Sequence, residues 1–357
     1  MLGNLIYNIY YMIQVSHESP ICMLDKSHLY NDYDYALVHL FDDYPQYYDH
    51  FKKSLQQDRK VYLDNSIFEL GKSFNNKKYI EWINKLNPTY YIVPDVLEDA
   101  AGTIKQLFEF NSIMAGGVVD PYQSHEVEAT VIDNDHVEDE SGCGDCKETT
   151  DVNLNNFKPS KQIGVVQGKD WDELVECYQV MSKMTDMIAI SFDYSYYLFT
   201  GKGDPKLPAE DHVNWYDVIY GGTDLNLQDA DTLHCSVCKD KLHRYCTGRQ
   251  RFIQHLIDEQ IWDWGKPHHL LGCSLAKEFS YYTNSRTRVD NIVSIDTSNP
   301  VMAAIKRVKY DFESGLDGKP KGLLADLIDW SPSVDELNNI LPTLYFNTDM
   351  FKKIIGR

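Results

Sequence analysis

Polar and acidic side chains stand at the ends of a series of short apolar runs in this sequence. An aspartate in that position commonly caps the helix that follows. Here the pattern recurs along the chain, which favours one shared pocket over a set of independent caps. The residues concerned are Asp64, Asp95, Gln167, Gly168, Ser191, Phe192, Gly272 and Asp296.

The residue types in this set limit the chemistry of such a pocket. The sequence has no glycine-rich dinucleotide motif after a strand, no Walker A motif and no HExxH motif. What remains is several carboxylates, an amide, a hydroxyl group and backbone donors. Paired carboxylates are typical of glycosidic chemistry, in which one attacks or stabilises an oxocarbenium-like sugar and the other moves a proton. The amide and the hydroxyl group are suited to hydrogen bonds with the edge of a heterocycle.

Eight apolar, β-rich runs alternate with amphipathic helical patterns, which indicates parallel strands buried on both faces. Eight such units predict an α/β fold, a (β/α)8 barrel of the TIM type, whose catalytic groups lie at the carboxyl ends of the strands. An open doubly wound sheet is the alternative. The predicted strands are Leu5–Ile13, Ala36–Phe41, Val61–Asp64, Tyr90–Pro94, Ile163–Gln167, Met187–Phe192, His269–Cys273 and Ile292–Asp296. The predicted helices include Lys77–Leu86, Asp99–Ile113, Asp170–Lys183 and Gln250–Gln260.

Two acidic stretches interrupt this alternation, and both are too long for plain loops. Residues 117–158 follow a helix, so we expect them at the amino ends of the strands, whereas residues 197–247 follow a strand and belong at the carboxyl ends. We interpret both as insertions into a catalytic barrel of residues 1–310. Residues 311–357 then form a C-terminal helical appendage.

The insertions carry the metal-ligating residue types of the chain. Cys235, Cys238, His243 and Cys246 have the spacing of a four-ligand structural zinc site, and Cys143 and Cys146 are alternative ligands. We therefore predict one structural zinc ion and no organic cofactor; reduced, unliganded thiols are the alternative. The remaining cysteines are expected to be buried apolar residues: Cys22, Cys177 and Cys273.

The net charge of −20 is unusual for a protein that binds nucleic acid. The acidic excess is concentrated in the two insertions, while basic residues gather between Arg286 and Lys321, so a local basic surface is compatible with the sequence. The apolar N-terminal segment lacks the basic start of a secretory signal, and no apolar run is long enough for a membrane span. We expect a cytoplasmic protein with no membrane partner.

Four motifs resemble those of the tRNA-guanine transglycosylase superfamily. Residues 63–69 (LDNSIFE) resemble DSGGFQ, residues 163–168 (IGVVQG) resemble GIVQG, and residues 266–274 (KPHHLLGCS) resemble RPxYLMGVG. Residues 296–300 (DTSNP) occupy the place of FDCVxPT. The chain is most similar to the phage-encoded branch that acts on DNA, through strings such as VPDVLEDAAGTI and SIDTSNP. The family zinc motif after the nucleophile is absent.

The resemblance implies a role for each residue of the predicted pocket. Asp296 matches the nucleophile that attacks C1′ and expels guanine, and Asp64 matches the acid/base that takes the proton of the incoming base. Asp95 and Gln167 match groups that hydrogen-bond the purine edge. The residues that would line the rest of the substrate pocket are Gly168, Ser191, Phe192 and Gly272.

These observations predict an enzyme that replaces guanine in DNA with a 7-deazaguanine derivative. Its partners would be DNA, in the host cytoplasm if the protein is phage-encoded, and a free 7-deazaguanine base. The same chemistry on tRNA is one alternative. An inactive, zinc-stabilised nucleic-acid-binding protein is another, although four retained polar residues at the predicted pocket speak against it: Asp64, Asp95, Gln167 and Asp296. The side group of the base, the DNA sequence context and the oligomeric state stay open.

Overall fold

The computed structural model describes residues 12–116, 159–192, 241–273, 275–311, 316 and 324–357. The predicted insertion 117–158 lies outside the described residues, as does most of the stretch 197–247. The architecture is that of the described residues.

Eight parallel strands form a nearly closed barrel, which confirms the predicted (β/α)8 type of fold. Each strand pairs with its sequence neighbours, except that β1 pairs with β8 and shares no ladder with β2. The strands are β1 (Gln14–Ser16), β2 (Asp34–Leu37), β3 (Val61–Asp64), β4 (Tyr90–Ile92), β5 (Lys161–Val166), β6 (Met187–Ile190), β7 (His268–Leu270) and β8 (Ile292–Asp296).

Helices follow the strands and cover the outside of the barrel, as parallel strands buried on both faces require. The α-helices are α1 (Leu40–Asp43), α2 (Pro45–Gln56), α3 (Ile67–Leu70), α4 (Asn76–Leu86), α5 (Ala100–Met114), α6 (Trp171–Met184), α7 (Lys241–Asp258), α8 (Ala276–Thr283), α9 (Asn299–Ile305) and α10 (Val334–Ile354). Two 3-10 helices span Ile21–Leu29 and Ala325–Leu327.

Side-chain caps explain where the longer helices begin. Asn75, Asp99 and Asp170 accept hydrogen bonds from the backbone N–H groups three residues ahead, at the starts of α4, α5 and α6. Such a cap satisfies one of the donors that the first turn of a helix leaves unpaired. The sequence prediction placed Asp99 and Asp170 inside their helices, whereas in the structure each stands one residue before its helix.

The first predicted strand, Leu5–Ile13, lies outside the described residues except for Met12 and Ile13, which have no strand structure. The first strand of the described barrel begins directly after it, at Gln14–Ser16. The second was expected at Ala36–Phe41, yet the strand ends at Leu37 and α1 begins at Leu40. Leu40 and Phe41 are buried in the helix, and a buried apolar run does not by itself distinguish a strand from a helix.

The gap between β1 and β2 is bridged by Asp32. Its carboxylate accepts from the N–H of Val15 at 2.8 Å, and its own N–H donates to the carbonyl of Val15 at 2.9 Å. Lys352, on α10, and Arg357 both form ion pairs with the same carboxylate. Among the described strands, β1 and β2 are the one neighbouring pair that shares no ladder, and the ion pairs of the C-terminal segment with Asp32 stabilise the barrel at this junction.

The chain positions of the two acidic stretches agree with the strand order. Residues 117–158 fall between α5 and β5, and the stretch 197–247 falls between β6 and α7. Helix α7 already begins at Lys241, so residues 241–247 belong to it. In the described part of the chain, no helix is both long and apolar enough to cross a membrane.

Candidate active site

The predicted site residues all lie at the carboxyl ends of barrel strands or within three residues after them. Asp64 is the last residue of β3 and Asp296 the last of β8. The others follow their strands by one to three residues: Asp95 after β4, Gln167 and Gly168 after β5, Ser191 and Phe192 after β6, and Gly272 after β7. In a parallel barrel these positions share one mouth, where catalytic groups are found in enzymes of this fold.

Asp296 is held by donors from the neighbouring strand. It is 4% exposed, and the N–H of Gly272 lies 3.1 Å from Oδ1 and 3.2 Å from Oδ2. Gly272 has a φ of +63°, a left-handed conformation that favours glycine. A Cβ there would also lie 3.3 Å from Cβ of Phe192. The glycine thus permits the bend that aims its N–H at the carboxylate.

His269 provides a second contact to the same carboxylate from inside the barrel. Its Nε2 lies 3.0 Å from Oδ1 of Asp296, and its Nδ1 lies 2.9 Å from Oγ of Ser294. The ring is fully buried, stacks on Tyr35 and meets the edge of Tyr62. A hydroxyl can donate to Nδ1, so this arrangement favours the tautomer whose Nε2–H donates to Asp296. Oδ1 therefore accepts from His269, while the Gly272 N–H lies about equally close to both carboxylate oxygens.

Asp64 lies in surroundings that favour its protonated form. Its carboxylate accepts from the hydroxyl of Tyr35 and from the N–H of Ser66. Both bonds favour the charged form, but burial, followed by the negative charge of Glu69, outweighs them and raises the pKa of Asp64 to about 8. Near neutral pH this side chain therefore carries a proton that it can give up and take back.

Two further carboxylates reach this site, and the sequence analysis gave neither of them a role. Glu18, two residues beyond β1, forms a side-chain hydrogen bond with Asp296, and its pKa is raised well above the usual value by burial and then by the charges of Asp296 and Glu69. Glu69 lies on α3. The sequence analysis predicted no strand at Gln14–Ser16, which explains why Glu18 was missed: with β1 there, Glu18 falls at a strand end like the other site residues.

Asp95 and Gln167 form one buried polar network. The Nε2 of Gln167 donates to Oδ2 of Asp95 at 2.7 Å, and the Nδ2 of Asn65 donates to Oδ1 at 2.8 Å. The Oε1 of Gln167 accepts from the N–H of Glu98 at 3.1 Å, and all three side chains of the network are at most 2% exposed. These bonds fix the orientation of the two amide groups and of the Asp95 carboxylate. The Nδ2 of Asn65 also donates to the carbonyl of Val93 at 2.9 Å, so both of its hydrogens are engaged within the protein. Sequence reasoning did not single out Asn65.

A buried arginine joins the strand ends on the other side of the mouth. Arg249, on α7, donates to the carbonyls of Ile190, Leu271 and Gly272 at 3.1, 2.8 and 3.0 Å. It also forms a fork of two bonds, 2.6 and 2.8 Å long, with the carboxylate of Glu278. Arg249 thereby ties the ends of β6 and β7 together and holds the peptide that aims Gly272 at Asp296.

The three remaining predicted pocket residues, Phe192, Ser191 and Gly168, each have different contacts. Phe192 places its ring 5.3 Å from the guanidinium carbon of Arg249. The Oγ of Ser191 is buried and has no hydrogen-bond partner among the described residues. At Gly168 a Cβ would lie 2.8 Å from the backbone nitrogen of Leu174, so the requirement for glycine there comes from packing against α6.

The predicted zinc ligands lie outside the part of the structure that can test them. Cys143, Cys146, Cys235 and Cys238 are outside the described residues, and His243 and Cys246 lie on α7, where only the backbone is described. Among the described residues, no group of three or more His, Cys, Asp or Glu side chains is arranged to hold a metal ion. Of the three cysteines expected to be buried, Cys177 and Cys273 are buried, and Cys22 is half-buried.

The fold is a nearly closed parallel α/β barrel. At its mouth, carboxylates at the ends of three strands and on one helix lie close to the buried network of Asp95 and Gln167, and these two features define the class of protein. The chain matches no model of a known protein family and no curated protein. The resemblance of the four motifs is therefore one support for a functional proposal and not an identification.

Proposed function

We propose that this protein is a base-exchanging glycosyltransferase that replaces guanine in DNA with a 7-deazaguanine derivative. The observation that carries the proposal is the contrast between two carboxyl groups at one mouth. Asp296 is oriented by N–H donors, whereas Asp64 has a pKa raised to about 8. A nucleophile beside a proton-bearing acid is the pair that cleavage of a glycosidic bond requires.

The first half of the reaction forms a bond to the enzyme. The carboxylate of Asp296 attacks C1′ of the target nucleotide, the bond from C1′ to N9 of guanine breaks, and N9 leaves with the electron pair. Asp64 gives its proton to the departing base. The product is an aspartyl glycosyl ester, and Asp64 is left ionised.

The second half reverses these steps with a different base. Asp64 accepts the N9 proton of the incoming 7-deazaguanine, the nitrogen attacks C1′, and the carboxylate of Asp296 is released. Two inversions retain the configuration at C1′, and no redox cofactor or nucleotide triphosphate is consumed. His269 and Gly272 are placed to donate hydrogen bonds to the carboxylate that is released in this half.

Base recognition is assigned to Asp95 and Gln167, and Asn65 holds the Asp95 carboxylate in place. A guanine or 7-deazaguanine edge presents both donors and acceptors, and a carboxylate beside a fixed amide complements such an edge. The target nucleotide must leave the base stack to reach the mouth of a barrel, as for other enzymes that perform chemistry on a base.

The test is incorporation of labelled guanine into polymer. The full chain is incubated with labelled guanine and either DNA or unmodified tRNA, and Asp296→Asn serves as the inactive control. Label in DNA alone supports the proposal, label in tRNA alone assigns the chemistry to the other polymer, and label in neither contradicts base exchange. Mass analysis of nucleosides from DNA made in cells that express the protein then identifies the inserted base.

A further inference from the structure

A cavity of about 640 Å³ opens directly beside the candidate base pocket. Its walls come from the segment between α3 and α4, from the residues after β4, and from α5. Neither the sequence motifs nor the proposed reaction uses this cavity. Its volume is in the range of small-molecule sites in proteins.

The cavity and the base pocket share Asp95 as a common wall. The carboxylate of Asp95 belongs to the network with Gln167, while its backbone exchanges two hydrogen bonds with Ser73, which lines the cavity. The Ser73 hydroxyl donates to the Asp95 carbonyl at 2.6 Å and accepts from its N–H at 3.0 Å. A group bound in the cavity is therefore separated from the base pocket by a single residue.

Large apolar side chains are exposed on α3 and after β4, two of the elements that contribute residues to the cavity wall, and we call these exposed side chains the rim. Phe68 is 71% exposed, Leu70 is 43% exposed, and Leu97, which lines the cavity itself, is 44% exposed. Phe68 and Leu70 lie on α3, and two cavity-lining residues, Ile67 and Gly71, stand at the two ends of that helix. An exposed aromatic ring next to a nucleotide site is the kind of surface on which bases stack.

The same segment is locally basic in a strongly acidic chain. Residues 70–80 contain three lysines, Lys72, Lys77 and Lys78, and are flanked by Glu69 and Glu81, whereas the whole chain has a net charge of −20. Lys78 pairs with Asp42. Lys72 and Lys77 are exposed, line the cavity, and form no ion pair within the described part of the chain. Lysine side chains can contact phosphates, and an exposed phenylalanine ring can stack on a base, so this combination of residues suits a nucleic-acid strand.

We propose that this cavity and its rim bind the single-stranded DNA next to the target nucleotide. One neighbouring base stacks on Phe68, and Lys72 and Lys77 contact the phosphates that lead into the barrel mouth. The inference rests on the proposed function only for the position of the target nucleotide; strand binding itself can be measured without any base exchange.

The experiment measures the affinity of short, fluorescently labelled single-stranded DNA for the full chain by anisotropy, in the Asp296→Asn background so that no covalent product forms. Phe68→Ala is expected to raise Kd about 5- to 150-fold, the range for loss of one stacked base. Phe68→Trp keeps a stacking surface and is expected to retain affinity. Removing Lys72 and Lys77 together is expected to reduce the slope of log K against log salt by roughly 0.7 per lysine.

Matched controls test whether the effect is local. Trp264→Ala removes an aromatic ring that is 55% exposed in the connection between α7 and β7, which contributes no residue to the cavity. Lys53→Ala with Lys183→Ala removes two exposed charges from the last turns of α2 and α6, at the opposite end of the barrel. Neither control is expected to alter Kd or the salt slope beyond the loss of general charge attraction.

The outcomes separate this inference from the proposed reaction. Weaker binding in the Phe68 variant and a smaller salt slope in the lysine variant support the strand site, even if no exchange of guanine is ever detected. Base exchange that proceeds while both variants bind DNA like their controls overturns the strand site and leaves the reaction intact.

Discussion

Replacing Tyr35 with phenylalanine tests the proposed acid/base directly, because the Tyr35 hydroxyl donates to the Asp64 carboxylate. A hydrogen bond to a charged group contributes about 1.5–3 kcal/mol, and one unit of pKa corresponds to about 1.4 kcal/mol. The bond favours the charged form, so its loss is expected to raise the pKa of Asp64 by about one to two units above its starting value of about 8.

The assay is kcat/KM for DNA, measured with saturating labelled guanine across neutral and alkaline pH, because in a two-step exchange this ratio covers the half-reaction of the free enzyme with DNA. The proposed first step needs protonated Asp64, so kcat/KM is expected to fall above about pH 8 in the native protein, and this alkaline limb reports the free enzyme. In Tyr35→Phe the limb moves to higher pH. Glu69→Gln removes the negative charge that raises this pKa, so in that variant the limb moves to lower pH.

A matched control removes a neighbouring hydroxyl that does not contact a carboxylate. Tyr33 is also buried, but its hydroxyl donates to the backbone carbonyl of Ile295 at 2.7 Å. Tyr33→Phe is therefore expected to leave the limb in place. An alkaline limb that moves down in Tyr35→Phe, or that moves equally in Tyr33→Phe, would refute the assignment of Asp64 as the proton donor.

Four further outcomes are expected from the site and its support. Asp296→Asn is expected to abolish exchange and the capture of a covalent DNA adduct on denaturing gels while the melting temperature stays near that of the native protein, because an amide forms no stable glycosyl ester. Burial, followed by the charge of Glu69, raises the folded-state pKa of Asp64 from 3.8 to about 8, so its contribution to stability is fully present below about pH 4 and is lost as pH rises through about 8. Asp64→Asn should flatten denaturant-derived stability across that window, and an unchanged pH dependence would contradict the raised pKa. Arg249→Met leaves Glu278 buried and unpaired and is expected to lower the free energy of unfolding by about 3–5 kcal/mol in urea titrations, with recovery when Glu278 is also replaced by leucine. Protein purified without added metal is expected to hold one equivalent of zinc by elemental analysis, and Cys235→Ser is expected to lose it; full zinc in that variant would exclude this ligand set.

The strand ends that carry the chemistry were the most predictable part of this protein. Val61–Asp64 and Ile292–Asp296 have the predicted bounds, because each is a short β-branched or aromatic run with an abrupt polar end. Six of the eight predicted strands overlap a strand of the structure whose two ends lie within three residues of the predicted ends. These strands were predictable because buried parallel strands are continuous apolar runs.

The features that were not predicted are decided by tertiary contacts rather than by local pattern. Strand β1 is only three residues long and depends on pairing with β8 and on hydrogen bonds to Asp32, none of which leaves a periodic signal. Because this strand was not predicted at its observed position, the sequence analysis also gave no role to Glu18. His269 and Arg249 were missed for a related reason: a histidine inside an apolar strand and an arginine on an amphipathic helix resemble core and surface residues until the partners that surround them are known.

The ion pairs of Asp32 with Lys352 and Arg357 have a consequence for folding during synthesis. Asp32 and Arg357 are separated by 325 positions in sequence, yet their contact closes the junction between β1 and β2. Strands β2 to β7 can pair in order as they emerge during synthesis, each with the strand before it. The segments that carry Glu18 and Asp296 join only after β8 has appeared, and the junction beside them is secured later still, by α10 and the residues after it. The nascent chain would therefore assemble the proposed proton donor, Asp64, and the network of Asp95 and Gln167 well before the proposed nucleophile, Asp296, was in place.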